Sequence, residues 1–198
     1  MADAATLLWC WRHPRATAAA GRCIGRTDVP VDPRKAKRLA HRMRRVARQH
    51  GLPRQVWVSP LLRARAVGGW LRQWGWQVQV DARLAEMDFG AWDGRHWADI
   101  PWAEVGAWEV DLLHHAPGGG EALQALAQRV QAWVDEAVAA GGPRQIVSHG
   151  GWINSLLHLP RLLGEGAALQ AADWPAAPRH GTLRCWPAGA AQAGPASR

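Results

Sequence analysis

The chain has 198 residues, enough for one domain with a sizeable hydrophobic core. Its hydrophobic share of 48% and charged share of 20% lie near globular averages, which excludes a disordered or collagen-like chain. A formal net charge of +8 and an isoelectric point near 11.0 favour anionic partners, from phosphate esters to nucleic acids, without choosing among them.

Apolar runs alternate with helical patterns along the chain. Five strands are predicted, over residues 5–11, 55–59, 77–80, 144–148 and 181–186. Helices are predicted between them, over residues 34–50, from the Ser59-Pro60 pair onwards, over 121–140, and after Gly150-Gly151. Ser59 has the form of an N-cap, with Pro60 at the first helical position. This alternation predicts an α/β sandwich with a mainly parallel sheet.

The predicted helix over residues 34–50 is strongly basic. Its apolar residues recur at three- and four-residue steps, which is typical of an amphipathic helix with a solvated basic face. A basic protein that binds nucleic acid without catalysis is the alternative from another functional class. We favour the solvated face, and nucleic acid is not the partner that we expect.

Residues 90–120 are predicted to be irregular and to form a binding lid. Their tryptophans suit either a substrate pocket or a dimer contact, so a homodimer stays possible. The adjacent His114 and His115 have no spaced carboxylate or cysteine partner, and no metal site is predicted. The chain is predicted to form a single domain over residues 1–187 and a disordered tail over 188–198.

The cysteines and the N-terminal segment bear on location. Cys10, Cys23 and Cys185 cannot all pair within one chain, and none lies in a C-x-x-C motif, which favours a reducing compartment. The first residues do not fit a signal peptide, and no stretch approaches the roughly 20 apolar residues needed to span a bilayer. We therefore expect a cytoplasmic protein with no membrane partner.

Charged side chains cluster at the predicted carboxyl ends of the strands, where ligands bind in open α/β sheets. Arg12 and His13 follow the first strand, Arg63 the second, Glu86 the third and His149 the fourth. Two histidines, two arginines and a carboxylate around one pocket indicate phosphoryl transfer. The motifs of P-loop, dinucleotide-binding, zinc-protease and serine-hydrolase sites are absent from the sequence.

Each residue type has a physical role in that chemistry. A transferring phosphoryl group carries negative charge that guanidinium donors stabilise, so no metal is needed. A neutral imidazole can attack phosphorus and form a covalent intermediate. A carboxylic acid can protonate the leaving alkoxide and then, as a carboxylate, activate water.

Six segments in order resemble the signature segments of the histidine phosphatase superfamily, also called phosphoglycerate mutase-like: WCWRHPRAT, GRCIGRTDVPVD, VWVSPLLRARAV, RLAEMDFGAWDG, APGGGEAL and IVSHGGWINSLL. The resemblance covers residues 7–160, and the branch that it resembles most is α-ribazole phosphatase. It implies a three-layer α/β/α sandwich and a phosphatase without a cofactor, acting on a small phosphorylated substrate.

The resemblance also implies residue roles. His13 would be the nucleophile that becomes phosphohistidine, and Arg12, Arg63 and His149 would complete the phosphate pocket. Glu86 would be the proton donor and later the base.

Three further residues are implied in substrate binding, and the residues at positions 24 and 14 bear on the choice of substrate. Ile24 and Gly25 would lie near the substrate, and the backbone at Gly150 would donate to phosphate. Mutases of the family usually have threonine where this chain has Ile24, which favours hydrolysis, most of all of α-ribazole 5′-phosphate. Pro14 replaces the usual glycine and removes a backbone N–H beside the nucleophile. A phosphoglycerate-type mutase and a broad small-molecule phosphatase are the alternatives.

Overall fold

The structure, a computed structural model, describes residues 6–164 and 170–188. Within these residues, five strands form one sheet in the order β3-β2-β4-β1-β5. Four are parallel, and β5 pairs antiparallel with β1 at one edge. The predicted mainly parallel sheet is confirmed. The strands are β1 (Thr6–Arg12), β2 (Gln55–Val58), β3 (Gln77–Val80), β4 (Arg144–Ser148) and β5 (Leu183–Ala188).

Helices cover both faces of this sheet. They are α1 (Pro33–Gln49), α2 (Leu62–Gln73), α3 (Trp102–Val110), α4 (Leu123–Ala140), α5 (Gly150–Leu157) and α6 (Leu159–Leu162). Alternate strand residues point to opposite faces. Val58 and Val147 pack with α1 and α2, whereas Trp57 and Ile146 pack with α4, α5 and α6. The predicted three-layer α/β/α sandwich is therefore confirmed.

The register of the sheet places two strand ends side by side. Arg12 is paired with Ser148, so β1 and β4 end at the same level. The N–H of His13 then donates to the carbonyl of Ser148 at 3.0 Å, one residue beyond the ladder. His13 and His149 consequently leave the sheet next to each other.

The predicted capping role of Ser59 is wrong. Helix α2 begins three residues later, at Leu62, and its N-cap Leu61 makes no side-chain capping bond. The Ser59 hydroxyl lies instead 2.7 Å from Nε2 of His149 and accepts the N–H of Leu61 at 3.3 Å. Ser59 thus joins the segment before α2 to His149, and Pro60 lies in the bend before the helix.

Three other elements differ from the sequence predictions. Residues 90–120 are not wholly irregular, because they contain the helix α3 between short 3₁₀ turns. Helix α4 starts at Leu123 rather than Glu121, and the Glu121 carboxylate pairs with Arg129 at 2.7 Å. Strand β5 extends through Ala188, and the tail predicted to follow it lies outside the described residues.

The tryptophans mostly serve the core. Trp11, Trp92, Trp133 and Trp152 are among the largest fully buried side chains, whereas Trp102 on α3 is 75% exposed. No helix in residues 6–164 or 170–188 is long and apolar enough to cross a membrane.

Candidate active site

His13 is the first residue after β1, and its ring is buried. Nδ1 lies 2.6 Å from the carbonyl oxygen of Pro14. Since a carbonyl can only accept, Nδ1 carries the proton and the Nε2 lone pair stays free. Burial, and next the charge of Arg63, hold the pKa of His13 well below its ordinary value of 6.5. The ring is therefore a neutral imidazole with a nucleophilic nitrogen, and Pro14 supplies a carbonyl although it lacks an N–H.

His149 and Arg63 form a fully buried pair beside that ring. The ring centroids of His13 and His149 are 4.9 Å apart. Nε of Arg63 donates to Nδ1 of His149 at 3.2 Å, so the ring proton lies on Nε2 and is donated to Ser59. Burial is the largest cause that holds the pKa of His149 well below 6.5, and the charge of Arg63 adds to it. His149 is thus a neutral ring that orients a guanidinium.

Backbone carbonyls hold the guanidinium groups of Arg12 and Arg63, the two arginines predicted to bind phosphate. Arg63 donates to the carbonyls of Thr27 and Gly25 at 2.9 and 2.5 Å, and Arg12 donates to that of Pro178 at 2.5 Å. Neither arginine forms an ion pair within the part of the chain that the structure describes. Burial lowers the pKa of both, although an arginine stays protonated. Their charge is left available to an anion.

Glu86 lies at the N-terminus of α5. One carboxylate oxygen accepts the N–H of Gly151 at 3.1 Å, and the other accepts those of Trp152 and Met87 at 3.2 and 3.1 Å. A Cβ atom at Gly151 would come within 2.5 Å of the carboxylate, so only glycine allows this approach. The carboxyl group is fixed in place by main-chain donors.

Hydrogen bonds to four successive backbone carbonyls hold the turn that carries Glu86. Arg129 donates to the carbonyls of residues 83, 85 and 86 at 2.7 to 3.0 Å. Trp152 Nε1 also donates to residue 83, at 2.8 Å, and Ser148 donates to residue 84 at 2.9 Å. Arg129 was not predicted from the sequence, because nothing in its local pattern separates it from a surface arginine.

The two glycines predicted to bind substrate lie so close to neighbouring groups that a side chain there would clash with them. Gly25 is buried, and a Cβ there would come within 2.2 Å of the Met87 carbonyl. A Cβ at Gly150 would come within 3.2 Å of the Arg12 guanidinium and 2.7 Å of Ala177. Both positions thus allow groups of the site to pack closely. Ile24 precedes Gly25 and is half-buried.

Asp93 organises the loop that contains Gly25 and was also missed. Its carboxylate accepts the N–H groups of Gly25 and Thr27, each at 3.1 Å, and that of Arg26. This carboxylate fixes the two carbonyls that hold Arg63. Asp93 lies in the fourth family-like segment, RLAEMDFGAWDG, but spacing alone gave it no partner.

His180 is a third histidine at the site. Its ring centroid lies 5.1 Å from that of His13, and its Nδ1 lies 3.3 Å from the His13 carbonyl. Burial and the charge of Arg12 lower the pKa of His180 to about 4. The sequence offered no signal for it, because a return of the chain 167 residues later brings it there.

The structure thus brings together all five residues predicted to be catalytic. His114, by contrast, is exposed and pairs with Asp111 at 2.9 Å. Among the described residues, no cluster of three or more histidine, cysteine or acidic side chains could hold a metal ion.

Comparison with known proteins defines the class. Residues 8–169 match the histidine phosphatase superfamily (branch 1), and the chain belongs to that family. Its mostly parallel five-stranded sheet flanked by helices is the phosphoglycerate mutase-like fold of its structural neighbours.

Individual relatives share part or most of the chain. An adenosylcobalamin/α-ribazole phosphatase of Escherichia coli K12 is 35% identical over 92 residues, which are 44% of each chain. The matched part thus spans less than half the length of that curated relative. The structure of the α-ribazole phosphatase from Shigella flexneri has a TM-score of 0.68 and 26% identity, covering 91% of this chain and 89% of the other. A mycobacterial glucosyl-3-phosphoglycerate phosphatase has a TM-score of 0.73 and 27% identity, with the same coverage.

The Asp93→Ala variant tests the role of the loop carboxylate. Three backbone N–H groups would lose their acceptor, so we expect the free energy of unfolding to fall by about 1–3 kcal/mol. Urea denaturation followed by tryptophan fluorescence measures this change. The exposed Asp99→Ala is the matched control and should change stability by less than about 0.5 kcal/mol. Equal stability of the two variants would show that Asp93 does not hold the loop.

The buried histidines predict how stability depends on pH. His13, His149 and His180 have lowered pKa values in the folded chain, so below pH 6.5 the unfolded chain binds more protons. The free energy of unfolding should therefore fall as pH is lowered from 7.5 to about 5. Urea titrations across this range measure the slope. His149→Gln should reduce the slope, and the exposed His96→Gln should leave it unchanged. A slope that is the same in all three proteins would contradict this assignment.

Proposed function

We propose that this chain hydrolyses α-ribazole 5′-phosphate through a phosphohistidine formed on Nε2 of His13. The observation that carries the chemistry is the neutral His13 ring, with its proton held on Nδ1 by a carbonyl and its Nε2 lone pair free. An unprotonated nitrogen with a fixed ring plane is the form of histidine that attacks phosphorus.

The first step forms a bond from Nε2 to phosphorus and breaks the bond from phosphorus to the ester oxygen. The Glu86 carboxylic acid gives its proton to the leaving oxygen, so the alcohol departs neutral. The guanidiniums of Arg12 and Arg63 stabilise the charge on the non-bridging oxygens. As the imidazole becomes cationic, the bond from Nδ1 to the Pro14 carbonyl strengthens.

The second step returns the enzyme to its starting state. The Glu86 carboxylate accepts a proton from water, whose oxygen attacks phosphorus while the bond from phosphorus to Nε2 breaks. Inorganic phosphate leaves, His13 is neutral again, and Glu86 is again a carboxylic acid. All proton transfers are carried by side chains of this chain, and no metal enters the scheme.

An apolar pocket beside Glu86 supports the choice of leaving group. This cavity of about 210 Å³ contains no basic side chain, and its lining includes the rings Phe89, Trp108 and Trp174. A neutral, flat aromatic base such as the benzimidazole of α-ribazole fits that lining, since aromatic rings stack well on one another. The carboxylate of a phosphoglycerate would find no cation there, which disfavours the mutase alternative. The names of the relatives in E. coli and Shigella flexneri point to the same substrate.

A substrate panel tests the proposed reaction. Phosphate release from α-ribazole 5′-phosphate, 3-phosphoglycerate and p-nitrophenyl phosphate would be measured in EDTA. We expect the highest kcat/KM with α-ribazole 5′-phosphate and a loss of about a thousandfold or more in His13→Ala. Glu86→Gln should slow turnover while leaving a ³²P label on the protein after a quench in alkaline detergent, because the P–N bond of phosphohistidine is stable to base and labile to acid. Transfer of phosphate between carbons of a glycerate, or no release at all, would contradict the proposal.

The apolar pocket gives a separate prediction about affinity. Trp174→Ala should raise the KM for α-ribazole 5′-phosphate about tenfold, because an aromatic contact of about 1.5 kcal/mol is removed. The KM for 3-phosphoglycerate should change much less. Trp102→Ala, which removes an exposed tryptophan outside the pocket, is the control. An equal effect of Trp174→Ala on both substrates would show that this pocket does not receive the leaving group.

A further inference from the structure

A strongly basic cleft lies beside the nucleophile and is not used in the proposed reaction. Its volume is about 360 Å³, and Pro14, the residue after the nucleophile, is part of its wall. Four permanently charged side chains and one histidine line it: Arg15, Lys35, Arg38, Arg42 and His180. We call this feature the α1 cleft.

Helical spacing concentrates the charge. Lys35, Arg38 and Arg42 are separated by three and four residues on α1, so they lie on one face of the helix. Other cations of α1 have a different role, since Lys37 lies over the ring of Trp70 and Arg44 over that of Trp74, each at 4.7 Å. The basic helix is thus divided between cations that cover tryptophans and cations that face the cleft.

The charge of the α1 cleft is not neutralised by the protein. No acidic side chain lines the cleft. Within residues 6–164 and 170–188, none of its arginines or lysines forms an ion pair. Arg42 is held in position, because it donates to the Gly181 carbonyl at 2.8 Å and lies over the Trp11 ring. Like charges gathered in a concave surface raise the local concentration of anions.

The cleft is distinct from the catalytic pocket but adjoins it. Its wall contains none of Arg12, Arg63 or Glu86, and it shares no residue with the apolar pocket. His180 connects the two regions, because its ring lines the cleft and lies 5.1 Å from the ring of His13. An anion in the cleft would therefore lie beside the nucleophile without occupying the place of the transferred phosphoryl group.

We propose that the α1 cleft is a second anion-binding site that takes a phosphate or diphosphate group. The group is either a free anion or a second phosphate on the substrate, and both have the same recognition chemistry. This inference goes beyond the proposed function and does not depend on it, because binding can be measured without turnover.

Calorimetric titration with inorganic pyrophosphate tests the site on the full chain. The variant Lys35→Ala/Arg38→Ala removes two exposed cations of the cleft for which no structural hydrogen bond is known. The control Arg34→Ala/Arg45→Ala removes two exposed cations of the same helix that lie outside the cleft. We expect about a tenfold weaker pyrophosphate affinity in the first variant, because each charge-assisted contact contributes substantially to the binding free energy. The affinity of the control should change less than about twofold.

Equal affinities in the two variants would overturn the proposal, because binding would then depend on net charge or on the catalytic pocket alone. Circular dichroism would show that both variants keep the fold. Activity on p-nitrophenyl phosphate, measured for the wild type and the control variant, reports the proposed function separately. If the cleft variant and the control bind pyrophosphate equally while the wild type hydrolyses p-nitrophenyl phosphate, only the second site is contradicted. If binding weakens in the cleft variant alone while the wild type shows no turnover, only the proposed function is contradicted.

The source of the anion follows from a kinetic comparison. If the second phosphate belongs to the substrate, Lys35→Ala/Arg38→Ala should raise the KM for fructose 1,6-bisphosphate more than that for fructose 6-phosphate. If the anion is free, the KM ratio should stay constant while the calorimetric affinity for pyrophosphate falls. Either result supports the second site, and a cleft variant unchanged in both measurements contradicts it.

Discussion

The site depends on holding like charges together in a buried place. Arg12 and Arg63 lie near two histidines, and neutral backbone carbonyls, rather than carboxylates, fix both guanidiniums. A carboxylate partner would cancel the positive field, whereas a carbonyl orients a guanidinium and leaves its net charge intact. The same field and the burial keep the His13 and His149 rings neutral. One arrangement therefore provides both an anion pocket and a nucleophilic nitrogen.

Much of the surrounding structure maintains this arrangement. Asp93 fixes the loop whose carbonyls hold Arg63, and Arg129 fixes the turn that carries Glu86. Gly150 and Gly151 allow Arg12 and Glu86 to approach the start of α5. Residues that do not themselves react thus decide the geometry of the reacting groups. A small displacement in such a supporting shell is enough to misplace groups that must act within hydrogen-bond distance.

The basic character of the chain also has a local explanation. Some cations of α1 lie over Trp70 on α2 and over Trp74 just after it, where their stems and charges pack against aromatic faces. Others face the α1 cleft beside Pro14, where no acid balances them. The apolar pocket on the Glu86 side has no basic lining. The two sides of the nucleophile therefore differ in polarity, which suits a ligand or ligands with one anionic and one aromatic part.

The sequence by itself determined the strand and helix order, the parallel sheet, the family and the five residues placed at strand ends. These features follow from short-range patterns and from the order of motifs, both of which are visible in the amino-acid sequence. Only the tertiary structure decided that Ser59 bonds to His149 instead of capping α2, that residues 102–110 form a helix, and that Arg129, Asp93 and His180 belong to the site. Helix α3 has no buried residue, so its sequence carries no clear apolar stripe. The contacts of Ser59, Arg129, Asp93 and His180 each depend on a partner tens of residues away, and hydrogen bonds between distant residues leave no periodic signal in the sequence.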